Sequence, residues 1–255
     1  MNKPAPPFTT VFVCSHGSSD ERARLGCAAL VERFRHFSTF RVTSGTLEFS
    51  ERLLDEQIAS QVLVDHRFVL LPLFLAPGIH VREDLRAALE RARQHFPLVD
   101  FAQTPTLGEH EHMEYLLSDQ GRQWLSGPDE QSAVVLLAHG SAREEANQLV
   151  QDIADGVWEN LGGPLVTTAF WKVGPSLRKT LRELSLQSIR RVVIIPYFLF
   201  RGSITDRIEL EITRLSNEFP RLELHLSDVM GTDDRLLALM QDLVESSLED
   251  TFAVA

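Results

Sequence analysis

Short apolar runs alternate along this chain with longer stretches in which apolar positions recur every three or four residues. The runs are continuous and rich in Val, Ile, Leu and Phe, the pattern of strands buried on both faces of a parallel sheet. They predict strands at about 9–15, 40–46, 67–73 and 99–103, and amphipathic helices at about 20–36, 50–65, 80–96 and 111–125. The order then repeats, with strands near 133–138, 165–170, 191–197 and 222–227 and helices near 143–160, 175–187, 205–218 and 233–247. Parallel neighbours need a crossover connection, so this alternation implies an α/β fold with helices on both faces of a parallel sheet.

The repetition reaches individual residues. Val11-Phe12-Val13-Cys14-Ser15-His16-Gly17-Ser18 is answered 123 residues later by Val134-Val135-Leu136-Leu137-Ala138-His139-Gly140-Ser141. Phe68-Val69-Leu70-Leu71-Pro72-Leu73-Phe74 pairs with Val192-Val193-Ile194-Ile195-Pro196-Tyr197-Phe198 at an offset of 124, and Thr106-Leu107-Gly108 with Val229-Met230-Gly231 at 123. A period of this size is a whole domain, not a solenoid unit. Two duplicated domains, 1–127 and 128–255, are expected to meet near Ser126-Gly127-Pro128-Asp129, where turn formers interrupt the pattern.

With 44% hydrophobic and 24% charged residues, the 255-residue chain has an ordinary globular composition. The net charge is −11, and neither half is basic: 13 basic groups face 16 acidic ones in 1–127, and 12 face 20 in 128–255. A nucleic-acid partner is therefore not expected, because duplex binding needs a concentrated positive face. The apolar runs are strand-sized and the first residues lack the apolar core of a signal peptide, so no membrane association and a cytoplasmic location are expected. Cys14 and Cys27 are expected to be reduced thiols.

Ligands of open parallel sheets sit beyond the carboxyl ends of the strands, so chemistry is sought in the loops there. His16 follows the first strand, and Gly17 after it would let another backbone approach closely. Ser18, Ser19 or Asp20 can cap the next helix, whose free N–H groups favour an anion. Glu48 follows the second strand, and His80 follows the third on the loop Pro72-Leu73-Phe74-Leu75-Ala76-Pro77-Gly78-Ile79. Two imidazoles and a carboxylate can hold a divalent first-row metal or take up protons. In the second half His139 answers His16, but the repeat sets Trp171 against Glu48 and Ile204 against His80, so the chemistry is expected in the first half. His110 and His112 alternate at a helix start, do not share a face and are expected to be solvated. His36, His66, His95 and His225 are expected to be structural, and Trp124, Trp158 and Trp171 to pack in the core or between the halves.

This set of motifs resembles the class II tetrapyrrole chelatases, the sirohydrochlorin cobaltochelatases and ferrochelatases of cobalamin and sirohaem synthesis. The pattern is His-Gly-Ser after the first strand, an acidic residue after the second, Pro-x-Phe-Leu-x-x-Gly-x-His after the third and a Leu-Gly turn. It covers about 10–250 and is similar to the long form with two fused chelatase-like halves. The resemblance implies that His16 and His80 are metal ligands and proton acceptors, that Glu48 assists, and that Co²⁺ or Fe²⁺ is a substrate inserted into sirohydrochlorin. Ser18-Ser19-Asp20 departs from the family's Ser-Arg-Asp. No organic cofactor is implied, and no nucleotide-binding glycine loop is present. An acidic protein must grip the many carboxylates of such a substrate through local donors: Ser18, Ser19, Arg52 and Arg82, with Ser141 and Arg201 as further candidates. A monomer is expected, the fused halves supplying within one chain the pairing of single-half relatives. A metal or tetrapyrrole carrier would use the same cleft without turnover. A histidine phosphatase would need Arg directly before His16, where Ser15 stands.

Overall fold

The computed structural model describes residues 8–63, 67–76, 78, 80–125 and 131–252, with side chains described for all of these except 80–82 and 252. Among the described residues two parallel four-stranded sheets form. The first, in the order β2-β1-β3-β4, contains β1 (Thr9–Ser15), β2 (Arg41–Thr46), β3 (Arg67–Pro72) and β4 (Asp100–Gln103). The second repeats it as β6-β5-β7-β8, with β5 (Ser132–Ala138), β6 (Leu165–Phe170), β7 (Arg191–Pro196) and β8 (Glu223–Leu226). β1 and β5 are buried along their whole length because each has a strand on both sides and helices on both faces, which is why they read as unbroken apolar runs.

In the first sheet the side chains alternate between two cores. Phe12, Cys14, Phe68 and Leu70 face α2 (Leu54–Ala59) and α3 (Arg86–His95), the latter entered through a π-helical turn at His80–Leu85. The rings of Phe12 and Phe68 stack at 5.8 Å, and Phe101 leans on Phe68 at 5.4 Å. The other face is covered by α1 (Glu21–Phe37), through Leu30, Val31 and Phe34, and by α8 (Arg235–Phe252), which lies against β3, β4 and α1. The second sheet is built alike. α6 (Leu177–Ser185) and α7 (Ser203–Glu218) cover one face, while α5 (Glu144–Leu161) and α4 (Met113–Arg122) pack together on the other.

The compact units therefore differ from the consecutive halves 1–127 and 128–255. One comprises residues 1–110 with 233–255, the other 111–232. Each sheet takes its last helix from the other half of the sequence. The two helices are interchangeable in pattern: Met113, Leu116, Leu117, Gln120 and Gly121 are buried on α4, and Leu236, Leu239, Met240, Leu243 and Val244 at the same repeat positions on α8. His110 belongs to this arrangement and corrects the expectation that it is solvated. It is buried, with Nε2 2.9 Å from Asp242 Oδ2 on α8. Arg33 of α1 adds an ion pair with Asp234, at 2.8 Å.

One helix is much shorter than its pattern suggested. The helix expected over 50–65 is confined to Leu54–Ala59, because residues 47–53 form a loop ending where Glu56 Oε2 accepts the Leu53 N–H. Both cysteines are free, and burial pushes the Cys14 thiol up to about 12, leaving it protonated and unreactive. Among the described residues no helix is long and apolar enough to cross a membrane.

If α8 is an integral layer of the first unit, a chain ending at Thr232 uncovers the apolar face of β3 and β4. It should bind a hydrophobic dye and lose the cooperative melting of that unit, read by calorimetry. An unchanged transition would contradict the exchanged-helix packing.

Candidate functional site

In the strand order β2-β1-β3-β4, α1 leaves β1 toward one face while α2 and α3 lie on the other, so the chain reverses direction across the sheet between β1 and β3. Crevices at such reversals are where open α/β sheets bind ligands. His16 follows β1, Glu48 follows β2, and His80 opens the turn after β3, so all three belong to the same carboxyl edge of one sheet. The side chain of His80 lies outside the described residues, as does that of Arg82.

The backbone brings His16 and Glu48 together. The pairing of β1 with β2 continues past both strand ends, as Leu47 N–H donates to Ser15 O and Glu48 N–H to His16 O, each at 2.9 Å. Gly17 has φ +87°, and a Cβ there would lie 2.2 Å from the Glu48 carbonyl oxygen, so the contact admits only glycine. His16 Nε2 consequently stands 3.9 Å from Glu48 Oε1, with both side chains close to half exposed. At that distance the pair attracts when the imidazole is protonated, without the geometry of a direct hydrogen bond. The Phe74 ring, tilted 56°, lies 6.3 Å from the imidazole; it packs on the core beneath, and its carbonyl accepts the Leu107 N–H.

Gln57 was not singled out by its sequence context, yet it secures the loop bearing Glu48. Its Oε1 accepts the Thr46 N–H at 3.0 Å, and its Nε2 donates to the carbonyls of Thr46 and Arg52 at 2.9 and 3.0 Å. No motif marks such a residue. Only its ability to satisfy both ends of a loop from one helix position reveals it.

The expected carboxylate donors divide. The N-terminus of α1 already has its own anion: Asp20 Oδ1 accepts the Arg22 N–H and its other oxygen pairs with the Arg22 guanidinium. Asp20 is thus the cap among the expected capping residues, and Ser18 Oγ accepts the Asp20 N–H at 3.0 Å while keeping its own proton to donate. Ser141 is likewise occupied, its Oγ accepting the Arg143 N–H and its backbone bound to the Asn147 amide. Arg201 is paired with Asp228 and Glu209. Ser19 is exposed, and exposed Arg52 forms no ion pair among the described residues, which leaves its guanidinium open to a ligand.

The second half corrects one correspondence. Trp171 N–H donates to Ala138 O and Lys172 N–H to His139 O, repeating the Leu47 and Glu48 bonds. Lys172, not Trp171, therefore stands in the place of Glu48. α5 has 18 residues where α1 has 17, and this extra residue moves the repeat offset from 123 to 124 before β6. Trp171 occupies the place of Leu47 and, like it, packs on the core, as does Ile204 in the place of His80. Burial, then the Lys172 charge, holds the His139 pKa below the ordinary imidazole range. A lysine repels the cation that a glutamate would attract, so the second edge is charge-inverted. The remaining histidines and tryptophans are peripheral: His36 and His95 are exposed, His225 pairs with Glu223 and lies 5.0 Å from the Trp124 ring, and Trp158 is half exposed. His66 lies outside the described residues.

A model of the CbiX family matches residues 10–123 and again 133–247. The chain belongs to the CbiX family. Its 124-residue repeat is thus two successive copies of one CbiX module. Among curated relatives it is 28% identical over 186 residues to the sirohydrochlorin cobaltochelatase of Priestia megaterium, spanning 71% of this chain and 60% of that protein. It is 22% identical over 247 residues to the sirohydrochlorin ferrochelatase of the same organism, spanning 93% and 90%. The fold is that of SirB from Bacillus subtilis, solved with Fe3+, at a TM-score of 0.82 and 22% identity over 95% of this CbiX-family chain and 97% of SirB.

The charge inversion has a direct test. Lys172→Glu should move the His139 titration upward, because a carboxylate favours the imidazolium that lysine disfavours, and imidazole NMR shifts against pH read this. An unmoved titration would mean that Lys172 does not face His139.

Proposed function

We propose that this CbiX-family protein is a chelatase that inserts a divalent metal, Co²⁺ or Fe²⁺, into sirohydrochlorin, and that the first half does the chemistry. The observation that carries this reading is the pairing of His16 with Glu48 at the β1–β2 edge, set against Lys172 and Ile204 at the matching positions of the second half. The curated relatives named as sirohydrochlorin chelatases support the choice of substrate.

Insertion exchanges one M²⁺ for the two protons on the pyrrole nitrogens of the free macrocycle. The metal is a substrate in transit, so its ligands must be neutral enough to bind it and weak enough to release it. In this reading His16 and His80 hold M²⁺ through unprotonated imidazole nitrogens. As the four macrocycle nitrogens take over the metal, the imidazoles accept the departing protons and pass them to solvent. Glu48 stabilises the imidazolium formed on His16 and contributes negative charge toward the incoming cation. First-row affinities favour Cu²⁺ and Zn²⁺ over Co²⁺ and Fe²⁺, so metal choice depends on availability and on the macrocycle as well as on these ligands. The reaction calls for no organic cofactor. Arg52, with Ser19 and Arg82 on the same edge, is proposed to meet the substrate's carboxylates. The fused halves are proposed to work as a monomer.

Turnover separates this enzyme from a carrier. With sirohydrochlorin and Co²⁺, Fe²⁺ or Ni²⁺ both in excess over protein, the visible spectrum should change over many equivalents; a change that stops at one equivalent would make it a binding protein. His16→Ala and His80→Ala should each lower the rate by about 100-fold or more, the scale of lost acid–base catalysis, while His139→Ala keeps most of it. Equal losses at His139 and His80 would assign the chemistry to the wrong half. After correction for uncatalysed insertion, the rate should fall in acid, as protonated imidazoles neither bind M²⁺ nor accept protons. A flat profile from about pH 5 to 8, a window spanning the usual imidazole range, would move proton acceptance to Glu48 or to solvent.

A further inference from the structure

Phe49, directly after Glu48, has φ +57° and is the one non-glycine residue with positive φ among the described residues. A bulky side chain is strained there, and such residues persist only where the surroundings over-determine them, which happens most often at functional sites. The surroundings here are the two backbone bonds to Ser15 and His16 on one side of the residue and the Gln57 amide gripping Thr46 and Arg52 on both.

The strain does not serve packing, because Phe49 is 65% exposed. It serves position. Phe49 Cδ2 lies 3.3 Å from where a Gly17 Cβ would stand, so the ring rests beside the Gly17 backbone, one residue from His16. The second half lacks the feature: the matching residue, one beyond Lys172, is Val173, whose φ is ordinary and whose methyl group is tucked against Gly140. The half that carries the paired His16 and Glu48 thus also carries a strained, solvent-facing aromatic, and the charge-inverted half carries neither.

We propose that Phe49 is a substrate-binding platform whose ring lies against the flat conjugated face of the metal-free tetrapyrrole and holds its nitrogen core over His16 and Glu48. The proposal rests on the chelatase reading and adds to it the group that grips the macrocycle itself rather than its carboxylates. Stacking of a planar heterocycle on an exposed aromatic ring amounts to about 1–3 kcal/mol, or roughly 5–150-fold in affinity.

The test compares Phe49→Ala, Phe49→Gly and Phe49→Tyr in the full chain. Readouts are sirohydrochlorin affinity without metal, by titration of the macrocycle's absorbance and emission, Co²⁺ affinity without tetrapyrrole, and the thermal midpoint. The Ala and Gly variants should bind sirohydrochlorin about tenfold more weakly, within the range expected for a lost stack, and keep their Co²⁺ affinity, while Tyr binds as the parent does. Phe49→Gly should also raise the midpoint, since glycine relieves the backbone strain. Undiminished sirohydrochlorin affinity in both Ala and Gly overturns the platform. An equal loss of Co²⁺ affinity overturns it by making Phe49 a support for Glu48, and a lowered midpoint in Phe49→Gly overturns it by making Phe49 a packing residue. A parent protein that binds no sirohydrochlorin brings down the chelatase reading itself, whereas a binding parent with indifferent variants brings down the platform alone.

Discussion

Two backbone hydrogen bonds at the carboxyl end of β1, from Leu47 N–H to Ser15 O and from Glu48 N–H to His16 O, set the geometry on which the candidate site depends. They extend a parallel ladder into what would otherwise be free loops, and so couple the position of a carboxylate to that of an imidazole without either side chain supplying the energy. Gly17 is the condition for this contact, since any Cβ would collide with the Glu48 carbonyl. Through the same pair of bonds the loop from 47 to 53 is held firmly enough to keep Phe49 at a positive φ. The candidate side chains His16 and Glu48 are therefore mounted on strand pairing while remaining about half exposed.

The second copy keeps the backbone of this edge and changes the side chains mounted on it. His139, Gly140 at positive φ and the two ladder bonds are all retained, so the scaffold is complete. What changes is the charge and shape mounted on it: Lys172 for Glu48, Val173 for Phe49 and Ile204 for His80. The lowered pKa of His139 follows from burial and from its lysine neighbour, and an imidazole in that setting resists taking up a proton. α4 and α8 are exchanged between the copies, each completing the apolar covering of the other copy's sheet. The second copy thus supplies the helix that completes the first sheet, whatever its own edge carries.

Much of the fold was legible in the sequence because buried parallel strands have a distinctive signature, and the eight strands among the described residues lie within about one residue of the apolar runs. The helix exchange was not legible, since α4 and α8 carry the same buried pattern and periodicity does not say which sheet a helix covers. Nor was the burial of His110, whose partner Asp242 is 132 residues away. The match of Trp171 to Glu48 failed through one extra residue in α5, which a constant offset passes over but strand register exposes. The juxtaposition of His16, Glu48 and Gly17 was legible because all three follow neighbouring strands of one sheet. Gln57 and Phe49 were not, because a loop clamp and a strained dihedral are properties of three-dimensional placement. The capping of the helix after Ser18 was legible as belonging to Ser18, Ser19 or Asp20, and Asp20 is the residue that does it.

The central claim is that a divalent metal is held at the carboxyl edge of the first sheet by His16 and His80. It is tested most directly by anomalous diffraction at the cobalt edge from crystals of the protein loaded with Co²⁺ alone. The account predicts Co²⁺ bound about 2 Å from imidazole nitrogens of both His16 and His80, a normal metal–nitrogen distance, on the side where Glu48 stands. Cobalt at the His139 and Lys172 edge, or bound to His16 without His80, would contradict it.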